Sequence, residues 1–343
     1  MTAASTDERP VGGIYIAGAD RSGTSLLAAL LASHSRIAIP ALGTNMWTFF
    51  AGQYGDLARP ANVERCLRAM LAYKNVNQLD PDRVRIEAAF LAGPRTYARL
   101  FAVILDQYAA RRARPRWGDK TSYVERYASE IMAADQTVRM VHVVRDPRDR
   151  YASAIRRWPK GRGQLGGATA RWLYSMGLAE RNARHFPDRY ITVRYEDLVA
   201  RPESTLRRLC AFLGEEYEPA MLDLSGAPGF RAKGGNSSFL DGRSGAISAA
   251  SVGRFQSTIG VTEVAFIQRF ARSRMAGQGY DVVATPLGVA DRLRYGLRVL
   301  PVNTARLVAW RGLESAQQRL PALIGRSPMR ARIVGGRPDE GDD

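Results

Sequence analysis

Residues Ile14–Leu27 read IYIAGADRSGTSLL, an apolar run that ends in a glycine-rich turn and reopens as leucines at helical spacing. Gly12–Gly18 (GGIYIAG) is rich in β-branched and aromatic residues and reads as a buried strand. Leu26, Leu27, Leu30 and Leu31 recur with the period of one helix face. Between them, Gly18–Ser25 (GADRSGTS) has the G-x-x-x-x-G-K-[ST] spacing of a phosphate-cradling loop. Thr24 stands where that pattern has lysine, and Arg21 lies two residues before the second glycine. Strand, loop and helix in this order are the context such a loop requires.

The rest of the chain extends the pattern. Val63–Ala113 is mostly helical in spacing, with arginines scattered on the polar face. Val138–Val144 (VRMVHVV) reads as a second strand, followed by Arg145-Asp-Pro-Arg and a helical run to Trp158. Tyr190–Val193 reads as a third, leading into Tyr195-Glu-Asp-Leu. Pro202 opens a helix with Leu206, Leu209, Cys210 and Leu213 on one face and Gly214 as its stop. Strands alternating with helices predict an α/β fold: a P-loop-like three-layer sandwich with a central parallel sheet flanked by helices. Ser225–Gly245 is long and rich in Gly, Ser and basic residues, as lids often are. The expected division is residues 1–284 as the nucleotide-binding domain and 285–343 as a basic helical C-terminal extension with a disordered acidic end.

Composition narrows the class. A chain of 343 residues, 45% hydrophobic, can bury a large core without staples. Cys66 and Cys210, far apart, make no disulfide framework. The N-terminus shows no basic and apolar leader, and the uncharged run Ile37–Gly55 carries Pro40, Gly43, Asn45 and Gln53. It reads as buried protein rather than a membrane span, and the expected location is cytoplasmic. The net charge of +17 favours anionic partners, although dispersed arginine on solvated faces gives the same total.

A second anion site is legible in Arg145–Arg157, RDPRDRYASAIRR. Arg145 falls at the carboxyl end of a strand, where ligands bind in open α/β sheets. Asp149, Ser153 and Arg157 share a helix face by their four-residue spacing. An arginine at the strand end, with a hydroxyl and an arginine on the next helix, suits a second phosphate. The competing reading is a salt-bridged helix start in which Asp146, Arg148, Asp149 and Arg150 pair among themselves. Two anion sites at successive strand ends point to a nucleotide with phosphates at both ends of its ribose.

These residues resemble those of sulfotransferases that use 3′-phosphoadenosine 5′-phosphosulfate (PAPS), in the branch with tyrosylprotein and many bacterial sulfotransferases, which carries R-S-G-T-[ST]. The resemblance runs from about Ile14 to Gln256. It implies that Arg21, Ser22, Gly23, Thr24 and Ser25 hold the 5′-phosphosulfate, and that Arg145 and Ser153, assisted by Arg157, hold the 3′-phosphate. Trp117-Gly-Asp-Lys120-Thr resembles the segment whose lysine approaches the sulfonate. Val193-Arg-Tyr195-Glu-Asp-Leu resembles the strand end whose tyrosine lies near the adenine. Ser251-Val-Gly253-Arg254-Phe resembles the late segment that closes over the nucleotide.

The implied activity is in-line sulfonate transfer from PAPS to a hydroxyl or amine, with Lys120 and Arg21 stabilising the leaving oxygen. A sulfonate carries less charge than a transferred phosphate, so no metal is expected, and backbone N–H groups, Arg21 and the hydroxyls of Thr24 and Ser25 could suffice. The glutamate this branch carries after its loop is missing from Pro40–Phe50 (PALGTNMWTFF). Asp119 is the leading substitute base, with His34 and Asp241 behind it; His142 reads as a core histidine, and His185 has no evident role. The acceptor is read only as a small-molecule, glycan or lipid-linked hydroxyl, with Trp47, Phe49, Phe50, Trp117 and Trp172 hinting at an apolar or sugar-stacking pocket.

Three alternatives stand beside this reading. A P-loop kinase or NTPase would want a lysine at Thr24 and a metal-linked acid where Arg145 intervenes. A catalytically inactive PAPS or nucleotide binder would keep the cradle without a base. A nucleic-acid-binding protein is not favoured, since no zinc spacing, aromatic RNA motif or basic tract is present. In the tail, Leu293, Leu297, Leu300, Leu307 and Trp310 run beside Arg294, Arg298, Arg306 and Arg311. That stripe is expected to pack on the parent domain or a second subunit, the alternative being peripheral contact with an anionic membrane.

Overall fold

The computed structural model of the protein describes residues 12–158, 164–222, 227, 229 and 247–319. Five parallel strands, β1 (Ile14–Ala17), β2 (Ile37–Ala38), β3 (Arg116–Lys120), β4 (Arg139–Val144) and β5 (Tyr190–Arg194), form one sheet in the order β2-β3-β1-β4-β5. Ile14 pairs with Gly118 on one side and Arg139 on the other, and Val144 pairs with Arg194. The chain builds out from β1 in one direction through β2 and β3, then crosses to its other side for β4 and β5. The loop leaving β1 therefore rises at the point where the connections diverge, the crevice in which open α/β sheets bind ligands.

Strand alternation divides the interior into two layers. Ile14, Ile16, Val141, Val143 and Val193 face α1 (Thr24–Ala32) and a second helix, Pro202–Leu213, whose Leu206, Leu209, Cys210 and Leu213 are all buried. Tyr15, Ala17, Met140 and Val144 face the opposite layer, which includes helices Pro60–Ala72, Tyr97–Ala110 and Leu165–His185. Each fully buried large apolar side chain stabilises the fold by about 1.5–3 kcal/mol. This is the three-layer α/β arrangement expected.

Two strands escape the sequence pattern. β2 has only two residues, and β3 reads RWGDK, with three charged side chains in a buried strand. Burial of Arg116 is met by bonds to the carbonyls of Gly12 (2.6 Å) and Leu213 (2.7 Å) and by Glu215. The aromatic residues read as an acceptor pocket are core instead. Trp47, Phe50, Trp117 and Trp172 are buried, with Trp47 Nε1 donating to the Tyr15 hydroxyl and Trp172 Nε1 to the Arg145 carbonyl. Phe49, half-buried, packs against the same core. Their bulk went into holding the layers together.

The C-terminal extension is helical from Val289, through one π-helical turn at Tyr295–Val299, to Arg319. Val299, Asn303 and Leu307 are buried against helix Leu165–His185; Asn303 Oδ1 accepts from the Gly166 N–H, and Glu314 pairs with Arg126. The extension thus packs on the parent domain. Among the described residues no helix is long and apolar enough to cross a membrane. The expected lid at 225–245 and the acidic end lie outside the described residues.

Candidate functional site

The loop Gly18–Ser25 is shaped by backbone conformations that few residues tolerate. Gly23 has φ +99°, and a Cβ there would sit 2.3 Å from the Tyr195 ring. This glycine caps α1 with no side-chain hydrogen bond, so the first N–H groups of the helix are left for a ligand. Arg21 itself is left-handed, with φ +66°. Asp20 is locked from three directions: Arg150 Nε donates to its carbonyl (2.8 Å), Arg150 Nη2 to its carboxylate (2.5 Å), and the Tyr123 hydroxyl to the same oxygen (2.6 Å). Burial works against the Asp20 charge, but Arg150 and Arg171 outweigh it and hold the carboxyl far below its usual range. Beneath the loop, buried Glu125 accepts from the Gly18 N–H (3.3 Å) and from Ser175. Sequence reading missed the Asp20–Arg150 lock; an acid inside a phosphate loop is itself the signal that a cation must answer it.

At the end of β4, Arg145 forms no ion pair among the described residues, although the Asp149 carboxylate lies near enough to feel its charge. Arg145 donates to the carbonyls of Arg21 (3.3 Å) and Ser251 (2.6 Å), and its guanidinium lies 4.4 Å from the Tyr195 ring centroid. Its Nε is buried with no hydrogen-bond partner among the described residues. Arg21 turns toward this group, with Nε donating to Ser153 Oγ at 3.0 Å. Burial, and then the nearby cations Arg145, Arg157 and Arg150, lower the proton affinity of Arg21, with Asp20 opposing. Of the predicted helix face on Pro147–Arg157, Ser153 and Arg157 therefore lie close to Arg21. Asp149 does different work: it accepts from the N–H groups of Gly253 (2.7 Å) and Phe255 (2.8 Å), tying the late segment to this helix. The salt-bridged helix start is half right: Arg148 pairs with Asp146 at 2.6 Å, whereas Arg150 pairs with Asp20 and Asp149 takes backbone N–H groups.

Lys120 ends β3, and its Nζ lies 3.5 Å from Ser25 Oγ. Burial lowers its proton affinity, Asp119 opposes that, and Arg21 adds to it. Asp119 is fully buried and takes bonds from the Thr44 N–H (3.0 Å), the Thr44 hydroxyl (2.7 Å) and the Thr121 hydroxyl (3.0 Å). Burial raises its pKa, and those donors partly hold it down. The turn that delivers Thr44 depends on Gly43, where a Cβ would fall 1.8 Å from the Lys120 carbonyl. Ser22, Thr24 and Tyr195 are buried, Ser251 likewise, and Arg254 is half-buried with Nη2 on the Ala250 carbonyl. His34 is buried against the Glu216 carbonyl, His142 lies in the core on Tyr190, and His185 sits on its own helix at the Arg181 carbonyl. Asp241 lies outside the described residues. Among the described residues no cluster of three or more His, Cys, Asp or Glu is placed to hold a metal ion.

A glycine loop on an uncapped helix end, a second cationic group at the next strand end and a lysine on the opposite side converge at the carboxyl ends of the parallel strands. The chain belongs to the sulfotransferase family, whose model matches residues 13–219. Among solved structures it is similar to the sulfotransferase domain from the Synechococcus PCC 7002 olefin synthase, with 21% identity and a TM-score of 0.57 over 80% of this chain and 97% of that one. It is also similar to the sulfotransferase domain from the curacin biosynthetic pathway, with 20% identity and a TM-score of 0.53 over 80% of this chain and all of that one. These two likenesses carry the fold. No curated protein matches the chain.

Proposed function

We propose that the protein transfers a sulfonate from PAPS to a hydroxyl or amine of a small-molecule, glycan or lipid-linked acceptor, without a metal. The observation that carries this reading is the convergence of Arg145 and Arg157 on Arg21, whose Nε donates to Ser153. Desolvated cations that repel one another need an anion, and their place is one strand away from an uncapped helix N-terminus that needs another. When bound, PAPS supplies the sulfonate on a 5′-phosphate leaving group. In this assignment the loop N–H groups with Ser22, Gly23, Thr24 and Ser25 hold the 5′ end. Arg145, Ser153 and Arg157 hold the 3′-phosphate, and Tyr195, Ser251, Gly253 and Arg254 border the nucleoside. Arg21 reaches between the two ends, because its loop position belongs to one and its hydrogen bond to the other.

Lys120 donates to the oxygen on which charge develops; a single donor of this kind contributes on the order of 10²–10³ in rate. Asp119 acts here as a positioning residue rather than as the proton acceptor, because Thr44 and Thr121 already engage its two oxygens and so fix the strand end that carries Lys120. The deciding experiment is calorimetric titration with adenosine 3′,5′-bisphosphate beside ATP–magnesium. Binding of the bisphosphate that is lost in Arg145→Ala or Ser153→Ala is the expected result. Binding of ATP–magnesium alone would overturn the assignment in favour of an NTP enzyme.

A further inference from the structure

The extension from Val289 to Arg319 has a second face, and the described residues of the body leave it uncovered. Val289, Leu293, Leu297, Pro301 and Ala305 follow one another at four-residue intervals, and Val308 continues the row. All are exposed, Leu293 at 59% and Leu297 at 79%. In an α-helix each four-residue step overshoots a full turn by about 40°, so a row this long should wind away. The π-helical turn Tyr295–Val299 is wider than an α-turn and sets that drift back, which keeps the row on one side. The opposite side is spent on the body of the protein, through Val299, Asn303, Leu307 and the buried Glu314–Arg126 pair.

The charges along the same helix have one sign. Arg292, Arg294, Arg298, Arg306 and Arg311 are exposed, whereas the acids of residues 289–317 are Asp291, half-buried, and Glu314, buried and paired. A second copy docking on this row would bring arginine against arginine, and a nucleic acid would leave the apolar row in water. An anionic bilayer satisfies both features, since its boundary takes apolar side chains while its headgroups take the guanidinium ions. We infer that this helix lies along an anionic membrane surface and seats the protein there without crossing it. The inference does not depend on which nucleotide the protein binds.

The test is flotation of the full-length protein with phosphatidylcholine vesicles with and without phosphatidylserine. The expected result is flotation only with phosphatidylserine, weakened by salt. It should fall on the order of tenfold both in the Leu293→Ser/Leu297→Ser variant and in the Arg294→Glu/Arg298→Glu variant. Unchanged melting temperatures would show that these exposed substitutions leave the fold intact. Protein that stays unbound to phosphatidylserine vesicles overturns the inference, as do variants that float like the parent. A dimer on size-exclusion chromatography that Leu297→Ser dissociates would also overturn it, assigning the face to a second copy.

Discussion

Arg145 and Arg150 come from one short stretch of sequence and end in opposite electrostatic circumstances. Arg150 is almost wholly buried and is answered within the protein, by the carboxylate and carbonyl of Asp20 and the carbonyl of Ala168. Arg145 is buried to nearly the same degree, but among the described residues it meets two carbonyls and an aromatic face, and its Nε has no hydrogen-bond partner. The first cation completes the protein and the second leaves it incomplete. On the proposed function, the ligand site is the place where the described residues leave a desolvated charge without an ion pair.

The strongest way to break this contrast is Asp20→Asn, which leaves Arg150 buried and unpaired. Denaturant melts should show a loss of about 3–5 kcal/mol. Because the folded pKa of Asp20 lies below the unfolded value of about 3.9, the unfolded chain binds the extra proton first as pH falls. The contribution is therefore complete above about pH 4 and is lost below it. The variant's stability should respond less steeply to acid; equal stability at neutral pH would mean that the lock does not hold the loop.

Lys120 sits between the two cases, desolvated but close to Asp119. Lys120→Ala should lower kcat roughly 10²–10³-fold while bisphosphate affinity changes little, and a variant of parental kcat would remove the lysine from the chemistry. Arg145→Ala sharpens the other half of the contrast. Bisphosphate affinity should fall by roughly 1.5–3 kcal/mol, the range of a charge-assisted hydrogen bond, with a melting temperature close to the parent's. A large drop in melting temperature with affinity intact would make Arg145 structural, like Arg150.

Asp119→Asn carries the smallest expected effect, about tenfold in kcat with an unshifted pH–rate profile, as for a residue that positions Lys120. Loss of the acidic limb of that profile would restore Asp119 as the proton acceptor.

The loop, its strand and helix, and the cationic group at the end of β4 are legible because they are local: spacing alone puts Gly18, Gly23 and Ser25, or Ser153 and Arg157, on the same surface. What the sequence hides is long-range. It cannot separate Arg145 from Arg148 and Arg150, since their fates depend on Asp20, Asp146 and Ser251, and two of those partners lie far along the chain. Nor does it show that Arg21 turns to Ser153, or that Asp149 gathers two amides of the late segment. β3 goes unread because its charged residues are neutralised by partners that only the fold supplies. Bulky aromatics suggest a pocket and a core equally well, and here the core took Trp47, Phe50, Trp117 and Trp172.

The hydrogen bonds from Asp149 to Gly253 and Phe255, and from Arg145 to Ser251, join residues more than a hundred positions apart. The family match ends at residue 219, short of that late segment. A chain cut there keeps every strand of the sheet and still lacks one wall of the candidate site. The sheet is closed over similar distances, since Ile14 pairs with Gly118 and with Arg139, so sheet and late segment depend equally on long-range contacts. If the proposed function holds, bisphosphate binding would report that this late segment has docked on helix Pro147–Arg157.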